Sequence, residues 1–275
     1  MALLMWIEWA HVTKIYQSDM EYKEDHMENW ARNIGLLDFS ASLQSGVTVI
    51  LGPKGSGKST LLKLTATLML PDDGRITFHT ATGSYNWSTG SMMSSKATAE
   101  FGWLKKRIAF LPMLNQLHQD TTVELSLLHM AQIYCLTDPR KKSCEIMMRW
   151  GLTAYRQTPL HKLRGGILKR FVLAQSLLIR PIIWILDEPT KGLDPLGKKL
   201  LWEELKNRSH ERITLIATHD MKLAECADNL MLLEAGSCRR LGKRSLLTAG
   251  VAEGTVAAWY QTMQVFSEMK NSFKM

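Results

Sequence analysis

The stretch Gly52-Pro53-Lys54-Gly55-Ser56-Gly57-Lys58-Ser59 constrains the fold more than any other part of the chain. It follows an apolar run, Val47-Thr48-Val49-Ile50-Leu51, and opens a helix-like run from Ser59 to Leu70. A G-x-x-x-x-G-K-[ST] turn between a strand and a helix is a phosphate cradle. Its glycines let backbone N–H groups close on phosphate oxygens at the positive end of a helix dipole. The loop from Gly52 through Thr60 is therefore expected to wrap a nucleoside triphosphate. Lys58 would reach the β- and γ-phosphates, and the Ser59 hydroxyl would ligate Mg²⁺.

A second acidic site follows the apolar run Ile182-Ile183-Trp184-Ile185-Leu186, which ends in Asp187-Glu188-Pro189-Thr190. A strand that ends in two acids delivers carboxylates to the carboxyl edge of a sheet, where phosphate loops also lie. Asp187 is the candidate Mg²⁺ ligand and Glu188 the candidate group to polarise an attacking water.

Around these sites strands and helices alternate. Strands are expected at Met5–Tyr16, Val47–Leu51, Arg107–Leu111, Ile182–Asp187, Ile213–Thr218 and Asn229–Leu233. Helices are expected over Thr122–Cys135 and Asp138–Trp150, each behind a capping residue, and over Gly166–Ile179, Leu196–Asn207 and Ala252–Met269. The helix after the phosphate loop should stop at Pro71, with Asp72-Asp73-Gly74 as a turn. Gln17–Asn29 reads as a polar loop, and Thr80–Ala99 as an exposed hairpin extension. The pattern predicts a single α/β domain over residues 1–275, with a helical insert at about 114–166 and a terminal helix at about 252–270. At 45% hydrophobic content the chain can bury a core. Its four cysteines lack metal-ligand spacing and read as reduced thiols. No apolar run reaches the ~18 residues of a membrane span, and the N-terminus does not read as a signal peptide. The net charge of +8 could suit nucleic acid or an anionic membrane, but such an excess is more often a solvated face.

Further short motifs come in a telling order. Leu163-Arg164-Gly165-Gly166-Ile167 lies between the phosphate loop and Asp187, and Gly192-Leu193-Asp194-Pro195 lies after Glu188. His219 closes the run Leu215-Ile216-Ala217-Thr218. With the phosphate loop and the acidic strand, this order resembles the ATP-binding subunit of an ABC transporter over nearly the whole chain. The resemblance implies a P-loop NTPase core of ABC type, with a helical subdomain and a small antiparallel β subdomain. It implies ATP and Mg²⁺ as cofactors, and Tyr16 as the aromatic stacked on adenine. Two such domains would face head to tail, each ATP lying between one phosphate loop and the partner's signature, where Gly165 and Gly166 approach the γ-phosphate. Glu188 would be general base, His219 the γ-phosphate sensor, and Asp194 the link between the two sites.

The chain departs from the family's pattern at two places. The signature carries Arg164 where the family has Ser, and Ile167 where it has Gln. Met113 stands where a glutamine usually touches Mg²⁺ and the membrane partner, and Gln116 is a weak substitute for it. The resemblance implies separate transmembrane permease subunits, a second nucleotide-binding domain, and a cytoplasmic place on the inner face of the cell membrane. The signature and the absence of a sensing extension look most like subunits of ABC-2-type exporters. A heterodimer is favoured over a homodimer, because intact hydrolytic residues sit beside an altered signature. No nucleic acid partner is expected. The alternatives are a soluble ABC-type ATPase acting on ribosome or DNA, and a regulatory subunit with weak hydrolysis.

Overall fold

The computed structural model describes residues 5–16, 34–81, 83–90, 101–112, 120–207 and 211–272. Its strands form two sheets. The chain opens with β1 (Trp6–Ile15), β2 (Ile34–Gln44) and β3 (Gly46–Leu51), then α1 (Lys58–Thr65) and a hairpin of β4 (Asp73–Thr80) and β5 (Gly83–Trp87). After β6 (Ile108–Leu111) come α2 (Val123–Ile133), α3 (Pro139–Arg149) and α4 (Gly165–Leu178), the helical insert. The second half runs β7 (Ile183–Asp187), α5 (Pro195–Lys206), β8 (Ile213–Ala217), α6 (Met221–Ala224), β9 (Asn229–Glu234), β10 (Ser237–Lys243), α7 (Arg244–Thr248) and α8 (Val256–Ser272).

The larger sheet has the order β10-β9-β3-β8-β7-β6. β3 is central and parallel to both β8 and β9, and all six of its residues are buried. That burial explains its unbroken apolar run, since a parallel strand covered on both faces has no polar side. Alternate residues serve two cores. Val47, Val49 and Leu51 join Trp184, Leu186 and the helical insert in one, while Ile50 joins Leu61, Leu62, Ile185 and Met231 in the other.

The second core is roofed by an antiparallel sheet of order β2-β1-β4-β5. Trp9 drops from that roof, edge-on to Phe39 at 6.0 Å, and its indole N–H donates to Thr65 on α1 at 3.1 Å. The two sheets are stitched where Leu37 N–H donates to the Gly236 carbonyl at 3.0 Å, in the turn between β9 and β10. This is the predicted α/β core with a helical subdomain and a small antiparallel one.

Several local expectations need correction. α1 ends at Thr65, not Leu70, because Thr67 turns the chain with φ +59°. Asp73 and Gly74 begin β4 rather than forming only a turn. β2, β4, β10 and α7 were not anticipated, and the terminal helix starts at Val256 rather than Ala252. The Thr122 hydroxyl caps α2 by accepting from Leu125 N–H, but Asp138 makes no side-chain cap for α3. The loop expected at Gln17–Asn29, part of the Thr80–Ala99 extension, the start of the insert near Leu114, and Met113 and Gln116 lie outside the described residues. Among the described residues no helix is long and apolar enough to cross a membrane.

Candidate nucleotide site

The phosphate loop hangs between the end of β3 and the start of α1. Gly57 caps α1 with φ +100°, and a Cβ there would sit 2.1 Å from the Gly35 carbonyl of β2, so no other residue fits. No side chain caps this helix and no acid lies in its first turn. Its free N–H groups are therefore left to an anionic ligand. Lys54 and Ser59 are exposed, while Ser56 and Lys58 are buried. The Lys58 ammonium folds onto its own loop, donating to the carbonyls of Gly52 at 2.7 Å and Pro53 at 2.8 Å. Burial pushes its pKa below the ordinary lysine range, and the charges of Glu188 and Asp187 act in the opposite direction.

Asp187 and Glu188 leave β7 at the same carboxyl edge, one strand removed from β3. Glu188 has φ +47°, and its N–H donates to the Ala217 carbonyl at 2.9 Å. That kink turns its carboxylate toward β8, where the Thr218 hydroxyl and the His219 N–H both donate to Oε2 at 3.4 Å. His219 Nε2 stands 3.7 Å from Oε1. Thus Lys58, Asp187, Glu188 and His219, spread over a long span of sequence, converge on one sheet edge. Among the described residues no group of three His, Cys, Asp or Glu side chains is spaced to hold a metal unaided. The donors at hand are the exposed Ser59 hydroxyl and the Asp187 carboxylate. Two hard oxygens with open positions for phosphate and water fit Mg²⁺.

Tyr16 follows β1 directly and is 38% exposed. Its hydroxyl shares a 3.0 Å hydrogen bond with Thr60 on the first turn of α1, which places its ring beside the phosphate loop. The signature residues stand at the start of α4. Gly165 has φ +54° and open space above its Cα, whereas the space over Gly166 is filled by Asp194. Arg164 is exposed, and its guanidinium folds back onto the carbonyls of His161 and Leu163. The Asp194 carboxylate caps α5 through Gly197 N–H at 3.0 Å and lies 3.2 Å from Arg170.

Sequence reasoning passed over Lys169. It is 6% exposed in α4 and makes no hydrogen bond or ion pair among the described residues. Burial lowers its pKa, with Asp187 and Glu188 opposing the shift, so it is a second ammonium in electrostatic reach of the acid pair. A charged residue two positions beyond a Gly-Gly-Ile helix start was the only available signal. Thr218 was likewise read only as part of a strand.

A mostly parallel sheet with a phosphate loop, a helical insert and an acid pair on one edge defines an ATP-hydrolysing cassette. Residues 18–191 match the sequence profile of the ABC transporter family, and the chain belongs to that family. It is 34% identical over 189 residues to a protein of Caldanaerobacter subterraneus subsp. tengcongensis named as an ABC transporter ATP-binding protein, covering 67% of this chain and 74% of that one. It is 28% identical to the linearmycin resistance ATP-binding protein LnrL of Bacillus subtilis, covering 79% and 67% of the two chains. It is 29% identical to the Nod factor export ATP-binding protein I of a Rhizobium species, covering 71% of this chain and 60% of that one. The fold matches the ATP-binding subunit of an ABC transporter with a TM-score of 0.73 at 19% identity, over 94% of this chain and 99% of the other. It also matches an ATP-binding cassette solved as a dimer with ADP and Pi, with a TM-score of 0.67 at 22% identity over 86% and 98%. The chain is an ABC transporter ATP-binding subunit and an ATPase.

Proposed function

We propose that this subunit powers an ABC-2-type exporter, working with separate permease subunits on the cytoplasmic face of the cell membrane. The observation that carries the reading is the convergence of Lys58, Asp187, Glu188 and His219 on one edge of the sheet. Support for export comes from relatives whose names speak of Nod factor export and linearmycin resistance. Tyr16 stacks on adenine, and the N–H groups from Gly52 to Thr60 wrap the phosphates. Lys58 exchanges the carbonyls of Gly52 and Pro53 for phosphate oxygens. Ser59 and Asp187 hold Mg²⁺, which neutralises phosphate charge when bound. Glu188 orients the attacking water and takes its proton, and His219 contacts the γ-phosphate.

The subunit acts as one half of a dimer. Gly165 and Gly166 meet the partner's ATP, and Asp194 lies where the two sites communicate. Arg164 occupies a position that must face that ATP, so this chain's signature serves the slower site. Its own hydrolytic residues serve the faster one, an asymmetry that suits a heterodimer.

The test is to tag the chain in its native host, solubilise the membrane in mild detergent and identify what co-purifies. Permease subunits with a second, different ATP-binding subunit, and Mg²⁺-dependent ATP hydrolysis by the complex, are expected. Recovery with ribosomes or nucleic acid and no membrane protein sinks the reading.

A further inference from the structure

Arg170 joins three segments of the chain, and the roles assigned above leave it without one. It sits in α4 and is 5% exposed. Its Nη1 donates to the carbonyls of Trp150 at 3.1 Å and Gly151 at 2.9 Å, where α3 ends. Its Nη2 lies 3.2 Å from Asp194 Oδ2. A Cβ on Gly151 would come within 2.8 Å of Nη1, so the end of α3 is shaped around the guanidinium. Nε is buried without a hydrogen-bond partner among the described residues, a deficit that costs stability. The planar fork serves the two carbonyls from Nη1 and the carboxylate from Nη2, a spread that the single nitrogen of a lysine does not reproduce.

Asp194 passes the restraint onward. Its Oδ1 caps α5, and its backbone and Cβ press on Gly166. Between Asp194 and Glu188 the loop is stitched by short bonds, from Leu193 N–H to the Thr190 carbonyl at 3.1 Å and from Lys191 N–H to the Glu188 carbonyl at 3.2 Å. A second tie grips the same end of α3. Arg149 pairs with the buried Glu204 of α5, which also accepts from Arg212 at 2.9 Å.

We propose that Arg170 is a positioning residue for hydrolysis, locking the Asp194 loop, and with it Glu188, to the signature helix and to the end of the helical insert. A displacement of the insert then moves the hydrolytic carboxylate without touching the phosphate loop. The proposal rests on the role given to Glu188 above. Steady-state hydrolysis and ATP-binding titrations on the full chain in its complex test it, using Arg170→Met, Arg170→Lys, Asp194→Asn and the double variant Arg170→Met/Asp194→Asn.

Arg170→Met should lower kcat by about 10- to 100-fold, the scale of a misplaced catalytic group, with KM and ATP affinity within about twofold of the parent. Arg170→Lys should recover part of that loss through its charge on Asp194. Asp194→Asn keeps the acceptor that caps α5 and should still lower kcat, and the double variant should be no slower than Arg170→Met. A kcat within about twofold of the parent, a parallel rise in KM, or losses that multiply in the double variant would each overturn the proposal. If Arg170→Met does not fold, Asp194→Asn decides alone, and a normal kcat there overturns the proposal equally. Glu188→Gln is run beside them. If it hydrolyses at the parent rate, the role of Glu188 fails, whereas an inactive Glu188→Gln beside a normal Arg170→Met removes only the proposal.

Discussion

Glu188 and His219 meet across neighbouring strands. Oε2 of the acid accepts the histidine's backbone N–H at 3.4 Å while Oε1 lies 3.7 Å from its imidazole Nε2. The backbone kink at Glu188 produces this meeting, because a residue continuing β7 in extended form would point away from β8. Among the described residues the carboxylate is held by Thr218 and His219, just past the end of β8.

Glu188→Gln should therefore bind ATP nearly as the parent does and hydrolyse it about 100-fold more slowly or worse, the scale of a lost general base. Lys58→Ala should instead weaken nucleotide binding by about tenfold or more, roughly 1.4 kcal/mol. Binding titrations and phosphate release on the two variants separate these effects. Equal loss of binding in both would undo the division of labour.

Tyr16→Ala should cost about 1–2 kcal/mol of ATP affinity, the worth of one aromatic–base stack. Tyr16→Phe keeps the ring and drops the hydroxyl's bond to Thr60 and its weak contact with the Met69 sulfur, so its cost should stay under about 1 kcal/mol. Calorimetric titration of both variants checks the order. If Phe costs as much as Ala, the hydroxyl and not the ring is what matters.

Arg164→Ser should raise ATPase per complex by roughly two- to fivefold, about 0.4–1 kcal/mol of barrier, by relieving the slow site. The guanidinium now rests on the carbonyls of His161 and Leu163, so it must leave them to touch a phosphate. A fall of about tenfold instead, measured on the co-purified complex, identifies Arg164 as a productive phosphate ligand and removes the case for unequal sites.

Asp72 fastens the end of β1, just before Tyr16. It accepts from Ile15 N–H at 2.8 Å and from the Lys14 ammonium at 2.6 Å. Burial raises its pKa, but the Ile15 and Lys14 contacts outweigh that and leave it below the ordinary carboxylate range. A depressed folded pKa means the contribution is whole above the unfolded value of about 4 and fades as pH falls through the folded one. The side chain is 45% exposed, so Asp72→Asn should cost only about 0.5–1 kcal/mol at neutral pH. Thermal midpoints of parent and variant should differ steadily above about pH 5 and converge below about pH 4. A gap that widens on acidification contradicts the assignment.

The central strands were legible because burial on both faces leaves no room for polar residues, as in Val47–Leu51 and Ile183–Leu186. The phosphate loop and the acid pair were legible because their chemistry fixes residue type and spacing together. β2 escaped notice for a physical reason. Phe39 to Leu43 alternates, but Gly35 and Leu36 are both buried and Leu37 and Asp38 both exposed, and there the positive φ of Asp38 and bulges against β1 break the period. β10 is an edge strand without a single buried residue and carries no apolar period to read. In the sequence Arg170 is only the last letter of the Leu-x-Gly-Gly-x-x-x-Arg signature, with no contact to read, and Lys169 is an unassigned cation beside it. Only the packing of α4 shows that both are buried and that one is tied to Asp194.

The place of β3 has a consequence for how the subunit is made. It pairs only with β8 and β9, and its Val47 N–H donates to the Asp228 carboxylate 181 residues away. A ribosome releases the phosphate loop early, yet the strand beneath it has no strand partners until residues 213–234 have emerged. Such distant pairings form late and slowly, and leave an apolar strand uncovered meanwhile. The grip on a nucleotide therefore waits for β8 and β9, and a nascent chain that stops short of them carries the phosphate loop without the pairings that hold its strand.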